Sequence, residues 1–278
     1  GRNTTPGFCK SEGLVEINML TAFINARVFT GDAVLENAAV LVEDQRVVAT
    51  GVGLPLPPGA RTVDLNGLSI APACIDLQVY GGKGKLFNNE PTVEAIESTW
   101  QQAREGGASH FQITLSCSPP DTMWRAIDAC RDYRAAGGRG LLGLHLEGPF
   151  FNPAKRGAHP LEHIRKPDPA LVAEIVERGQ GVVRYMTLAP EQVDDISLDM
   201  LLKSGICLAA GHSNATFTEA SRGFEKGIAR ATHLFNAMSA FQGREPGMVG
   251  AIYAHKPWTS IIADGIHCDY NALKISKE

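Results

Sequence analysis

From Ile70 onward the chain alternates short apolar runs with amphipathic stretches of helical period, and this alternation restricts the fold more than any other feature. Strands running the same way need crossover connections, so a succession of strand and helix units builds a parallel sheet covered by helices. The pattern predicts strands at Ile70–Gln78, His110–Ser116, Gly140–Glu147, Val182–Leu188, Gly205–Gly211, Ile228–His233 and Ser260–Asp264. Helices are predicted near 91–106, 119–136, 168–178, 195–204, 216–226 and 270–278. Seven strands are one fewer than an α/β barrel needs to close. The expected fold class is α/β, a (β/α)8 TIM-like barrel truncated before strand 8.

Three divisions are expected. Residues 1–18 are polar and Gly-rich, precede Met19 and read as an N-terminal extension or tail. Residues 19–69 carry a β pattern with a polar turn at Glu43-Asp44-Gln45 and a Pro-rich L-P-L-P-P-G, the N-terminal part of a small β-sandwich. Residues 70–278 form the incomplete barrel. With 278 residues and 44% hydrophobic content the chain can bury a core of that size.

A formal net charge of -4 gives no basic footprint, so nucleic acid is excluded as the expected partner. No apolar run approaches the roughly 18 residues of a membrane helix, and no charged n-region followed by an apolar h-region opens the chain. Cys9, Cys74, Cys117, Cys130, Cys207 and Cys268 lack C-x-x-C spacing and read as buried, reduced thiols. The expectation is a cytoplasmic protein.

L-H-L-E-G-P at 144–149, A-G-H-S-N-A-T at 210–216 and A-T-H-L-F-N-A at 231–237 each put one metal-binding residue type near the end of a predicted strand. The carboxyl ends of barrel strands converge on one face, so Glu147, His212 and His233 would meet there. One carboxylate and two imidazoles are the donors of a hydrolytic metal site, whose remaining position takes a water with its pKa lowered to about 7. His145 shares a strand side with Glu147 and is a candidate site-lining group, the alternative being a satisfied histidine in the barrel interior. Arg244 is either a solvated loop charge or a bidentate partner for a phosphate. Gly81-Gly82-Lys83-Gly84 lacks the spacing of a phosphate-cradling loop and is expected to be a flexible connection.

The segments I-A-P-A-C-I-D-L-Q, L-H-L-E-G-P-F-F-N, G-A-H, R-K-P-D, T-L-A-P-E, A-G-H-S-N-A-T, A-T-H-L-F-N-A-M, G-R-E-P-G and I-I-A-D-G-I-H-C-D-Y occur in this order. Over roughly residues 20–278 the chain resembles the N-acetylglucosamine-6-phosphate deacetylases of the amidohydrolase superfamily. The resemblance implies a barrel of the metal-dependent hydrolase type that hydrolyses N-acetyl-D-glucosamine 6-phosphate to glucosamine 6-phosphate and acetate. It implies one divalent metal per subunit on Glu147, His212 and His233, with zinc first and iron, cobalt or manganese as alternatives. Gln78, where other amidohydrolases carry a metal-binding histidine, resembles the single-metal branch. His159 matches the residue that polarises the acetyl carbonyl. Ala158, His159, Asn236, Ala237, Arg244, Asp264 and His267 match substrate-binding positions, and Arg244 matches a residue that reaches a neighbouring subunit's site, which implies a homodimer.

One departure accompanies the match. The family's catalytic aspartate lies in a V-T-D-A-like segment ending strand 8, and no such segment occurs before Glu278. Proton transfer to the leaving amine is therefore expected to be impaired in these residues alone, by about 10²–10⁴ in rate. Two other readings stay open at this point: an inactive fragment of this enzyme, and a different amidohydrolase acting on a cyclic amide through two metals. The second needs H-x-H after the first barrel strand and a carboxylated lysine on the fourth, where the sequence has Asp76-Leu77-Gln78-Val79-Tyr80 and Val182-Val183-Arg184-Tyr185-Met186.

Overall fold

Alternating inward and outward side chains make β1 (Leu20–Phe29) the hub of a five-stranded sheet in the computed structural model, which describes residues 20–277. The predicted tail lies outside the described residues. β2 (Val34–Glu43) runs antiparallel to β1 and pairs with β3 (Arg46–Val52), while β4 (Arg61–Asp64) and β5 (Ser69–Ile70) run parallel to β1. The turn between β2 and β3 places Asp44 at φ +54°, a conformation aspartate tolerates better than most residues. Ala26, Val28, Ala38 and Val40 form the small core of this unit.

The chain divides between Ala73 and Cys74, and the second unit is the α/β part. Its strands are β6 (Cys74–Val79), a hairpin of β7 (Gly81–Gly82) and β8 (Lys85–Leu86), β9 (Ala108–Ser116), β10 (Leu141–Glu147), β11 (Val183–Leu188), β12 (Cys207–Ala210), β13 (Arg230–Ala231) and β14 (Trp258–Thr259). Its helices are α1 (Val93–Glu105), α2 (Pro120–Ala135), α3 (Pro169–Gly179), α4 (Asp195–Lys203), α5 (Phe217–Lys226), α6 (Gly247–His255) and α7 (Tyr270–Lys277). β6 and β9 to β14 form one seven-stranded parallel sheet in sequence order, with β6 and β14 outermost. Its outer strands carry exposed apolar side chains, with Ile75 54%, Leu77 49% and Trp258 81% exposed.

Phe111, Ile113, Leu144, Leu146, Met186 and Leu188 on the central strands are fully buried, each contributing about 1.5–3 kcal/mol relative to exposure. The helices around them start at side-chain caps: Thr92, Asp168, Asp194 and Thr216 each accept a first-turn backbone N–H. Thr216 and Glu219 complete a reciprocal capping box on α5. Fixed helices leave the carboxyl ends of the strands to carry chemistry.

Five details differ from the sequence expectation. The predicted strand Ile70–Gln78 is divided, with Ile70 ending β5 beside β1 in the small sheet and β6 starting only at Cys74, after the Ala71-Pro72-Ala73 connection. Helix α6 was not predicted, because G-M-V-G-A-I is buried on every side and shows no polar face from which a helical period could be read. The last strand is Trp258–Thr259 rather than Ser260–Asp264, although pairing continues through Ser260 N–H to Ala231 O at 3.0 Å and Leu234 N–H to Ser260 O at 2.8 Å. Gly81–Gly84 is not a flexible connection but part of the β7–β8 hairpin, with Gly82 packed so closely on α1 that a Cβ would lie 2.8 Å from Ser98 O. Cys74 is exposed on an outer strand, whereas Cys117, Cys130 and Cys268 are buried; none of these, nor Cys207, is in a disulfide.

Candidate metal and substrate site

Glu147 ends β10, His212 lies two residues after β12, and His233 two residues after β13. Parallel register therefore brings them to one edge of the sheet. Glu147 pairs in register with Ser116 on one side and Thr187 on the other, which fixes its height. His212 and His233 take φ of +48° and +42°, left-handed values that β-carbon-bearing residues seldom adopt. Gly211, just before His212, sits where a Cβ would come within 2.7 Å of Thr187 Cγ2, so the loop can pass only with glycine there.

The carboxylate of Glu147 is 2% exposed, and its two oxygens have separate surroundings. Oε1 lies 3.4 Å from His212 Nε2 and 3.3 Å from His233 Nε2, and those two nitrogens are 3.0 Å apart. Oε1 also accepts from Gln78 Nε2 at 2.8 Å. Oε2 accepts from Tyr80 Oη at 2.5 Å and lies 3.4 Å from His159 Nε2. Burial alone would raise the Glu147 pKa, but the imidazoles of His159, His212 and His233 outweigh it and hold the carboxyl well below the usual carboxylate range. Burial lowers His212 from its ordinary value, so its neutral form prevails at neutral pH. An ionised carboxylate facing a neutral His212 is the protonation state a cation requires.

Second contacts fix which nitrogen carries each proton. Lys155 O can only accept, so the 3.0 Å contact with His212 Nδ1 puts the proton there and leaves a lone pair on Nε2. The backbone N–H of Cys117 donates to His159 Nδ1 at 3.1 Å, so neutral His159 carries its proton on Nε2. His233 Nδ1 is buried without a hydrogen-bond partner, so in the metal-free chain the proton sits on Nε2, where His212 Nε2 at 3.0 Å and Glu147 Oε1 at 3.3 Å can accept it; a cation taking Nε2 would displace that proton. Glu147, His159 and His212 have candidate ligand atoms mutually within 4.8 Å. Of the two remaining histidines, His233 can offer an Nε2 lone pair once its proton is displaced, whereas His159 is set up to donate from Nε2. Two imidazole nitrogens and one carboxylate oxygen converging in a buried space are a donor set that fits a divalent cation.

A cavity of about 1130 Å3 opens over these groups, lined in part by Gln78, Ala158, His159, Asn236, Ala237 and His267. Gly157, at φ +56°, lets the G-A-H turn close over His212 Cε1, which a Cβ there would approach to 3.4 Å. At the rim Asp264 Oδ2 is 2.7 Å from His267 Nδ1, and that contact, with the backbone N–H groups of His267 and Ile266, pulls the Asp264 carboxyl down to about 2. His145 is buried away from the cavity. Its Nε2 is 2.7 Å from Thr187 Oγ1, its ring meets Tyr185 edge-on, and burial pushes it down to about 4. Arg244 is exposed and does not line the cavity. Tyr80 was not singled out in the sequence; its only signal was its place two residues beyond Gln78, on the same side of the chain as it leaves β6.

A curled parallel sheet with a carboxylate and imidazoles gathered at its carboxyl edge defines a metal-dependent hydrolase of the barrel type. Residues 69–278 match the amidohydrolase family and residues 20–70 the NagA composite domain, and the chain belongs to the amidohydrolase family. It is 35% identical over 261 residues to an N-acetylglucosamine-6-phosphate deacetylase of Haemophilus influenzae, covering 94% of this chain and 68% of that protein. It is also 35% identical to an N-acetylgalactosamine-6-phosphate deacetylase of a Shewanella species, covering 87% of this chain and 62% of that one. Among solved structures, an N-acetylglucosamine-6-phosphate deacetylase from Pasteurella multocida superimposes with a TM-score of 0.87 at 33% identity, covering 93% of this chain and 68% of that one. The chain thus spans about two thirds of the length of these relatives. Among the described residues no helix is long and apolar enough to cross a membrane.

Proposed function

We propose that this chain is the metal- and sugar-binding portion of an N-acetylglucosamine-6-phosphate deacetylase, releasing acetate and glucosamine 6-phosphate. The observation that carries this reading is the convergence of Glu147, His212, His233 and His159 beneath one cavity, with Lys155 O and the Cys117 N–H holding His212 and His159 in opposite tautomers. Glu147, His212 and His233 would hold one divalent cation, zinc before iron, cobalt or manganese, and the ion would supply Lewis acidity and water at a lowered pKa. Gln78 occupies the place of a further ligand with an amide N–H that already donates to Glu147, which favours one ion per subunit.

His159 would donate its Nε2–H to the acetyl oxygen, and that hydrogen bond strengthens as negative charge builds there. The Cys117 N–H keeps His159 from turning away or changing tautomer. Asp264 orients His267, whose Nε2 is then free to accept from a sugar hydroxyl. Ala158, Asn236 and Ala237 would shape the wall against the ring. Arg244, exposed outside this cavity, would meet the 6-phosphate of substrate bound in a neighbouring subunit of a homodimer. The carboxylate that the family resemblance assigns to proton transfer belongs to a segment following these residues in family order, so turnover is proposed for the whole protein. The protein would act in the cytoplasm on the same reading, because a phosphosugar substrate is an intracellular metabolite class and the thiols among the described residues are unpaired.

The deciding experiment measures acetate release by the chain extended to the length of its relatives. N-acetylglucosamine 6-phosphate, its C4 epimer N-acetylgalactosamine 6-phosphate and unphosphorylated N-acetylglucosamine would be compared, each with and without a chelator. Chelator-sensitive turnover highest on the first supports the reading. A preference for the galactosamine epimer would reassign the sugar, and no turnover of any of the three would overturn the activity.

A further inference from the structure

The T-L-A-P-E segment has no part in the chemistry described so far. Its glutamate follows β11 in the short turn Pro190–Gln192, and its carboxylate takes donors from two separate loops. Glu191 Oε1 accepts from Asn152 Nδ2 at 3.0 Å and from the backbone N–H of Asn214 at 2.7 Å. Oε2 accepts from Ser213 Oγ at 2.7 Å.

Both loops hold His212. The Asn152 N–H donates to His212 O at 3.0 Å, and the Asn152 side-chain oxygen accepts from Ala154 N–H at 3.0 Å, starting the turn Pro153–Lys155. Lys155, the last residue of that turn, accepts from His212 Nδ1. Glu191, Asn152, His212 and Ser213 therefore close a ring that passes through the His212 backbone. A left-handed backbone at a residue with a Cβ persists only where its surroundings over-determine it. A carboxylate suits this task because it is acceptor-only, has two oxygens for three donors, and makes charge-assisted bonds about twice as strong as neutral ones.

We infer that Glu191 is a positioning residue for the metal centre: by tying the Asn152 and Ser213–Asn214 loops together it holds His212 in the left-handed backbone and the Nδ1–H tautomer that present Nε2 toward Glu147. The consequence for metal rests on the reading of His212 as a ligand; the tautomer is a property of the metal-free chain.

The test compares the chain with Glu191→Ala, Glu191→Gln and Asp194→Ala. Asp194 caps α4 through Ser197 and touches neither loop, so it serves as a control for lost stability. Nitrogen-15 spectra of the histidines in metal-free protein at pH 8 report the tautomer, and competition with a chromophoric chelator reports zinc affinity. Glu191→Ala is expected to lose the His212 Nδ1–H signature and bind zinc at least tenfold more weakly. Glu191→Gln keeps an oxygen for the two N–H donors and an amide for Ser213 Oγ, so it should stay within threefold of the parent. Asp194→Ala should lower only the melting temperature. Retention of both signals in Glu191→Ala, or equal loss in Asp194→Ala, would overturn the inference. If Glu191→Ala does not fold, Ser213→Ala takes its place, with a threefold or greater loss expected and no change contradicting it. Absence of zinc uptake by the parent would count against the metal reading alone, because the tautomer in metal-free protein still decides the role of Glu191.

Discussion

Tyr80 donates its phenolic proton to Glu147 Oε2 at 2.5 Å, on the side of the carboxylate away from His212 and His233. Burial, with the adjacent carboxylate, raises the Tyr80 pKa far above its ordinary value, so the phenol remains a donor at all working pH. His159 Nε2 faces the same oxygen from 3.4 Å. Tyr80 and His159 thus share Oε2, with Tyr80 making the shorter contact, and a substrate carbonyl would compete with Glu147 for the His159 N–H.

Removing that phenol leaves a buried carboxylate short of one donor, at a cost of about 1.5–3 kcal/mol. A cation at Oε1 would recover part of this by neutralising the charge. Tyr80→Phe should lower the melting temperature more in metal-free than in zinc-loaded protein. Thermal denaturation with and without a chelator measures the difference; an equal drop in both conditions would separate Tyr80 from the metal centre.

Acid should destabilise the metal-free chain in two stages. His145, lowered by burial from 6.5 to about 4, is neutral in the folded protein at pH values where the unfolded chain already binds a proton. Its contribution is complete above pH 6.5 and is lost as pH falls from 6.5 toward 4, amounting to about 3 kcal/mol. Glu147, held well below 4.5, adds stability present above 4.5 that is lost only at lower pH still. Urea unfolding between pH 8 and 4.5 should show the first stage, and His145→Gln should flatten it.

The sheet and the convergence of Glu147, His212 and His233 were legible in the sequence because both follow from periodicity. Apolar runs ending at Glu147 or shortly before His212 and His233 mark strand ends, and parallel topology then gathers them. Helix α6 was hidden because a segment buried on every side has no polar face to set a period. Tyr80 and Glu191 act through partners 67 and 22 to 39 residues away, contacts that local pattern does not encode. His145 and Glu147 share a strand side, yet only Glu147 reaches the cavity, since depth along a strand is set by register and not by alternation.

His159→Asn in the protein extended to the length of its relatives should lower kcat by about 10²–10³, the cost of losing one donor to a developing oxyanion. Zinc affinity should hardly change, because the His159 Nε2 carries a proton and not a lone pair. Steady-state kinetics beside chelator competition distinguish this from a ligand's role, in which both would fall.

Arg244→Ala should weaken kcat/KM for the phosphorylated sugar by about 2–4 kcal/mol, as for loss of one partner of a charged pair, with little change for the unphosphorylated sugar. If the guanidinium serves a neighbouring subunit, mixing the impaired Arg244→Ala and His159→Asn proteins should raise activity above that of either alone in the heterodimers. Failure of mixtures to recover turnover would place Arg244 in its own subunit's site.

The identity of the metal ligands is tested most directly by anomalous diffraction at the zinc edge from crystals of this chain grown with zinc. The account predicts a single ion per chain bound by Glu147, His212 and His233, with His159 left unligated. Two ions per chain, or one ion bound through His159 in place of His233, would contradict it.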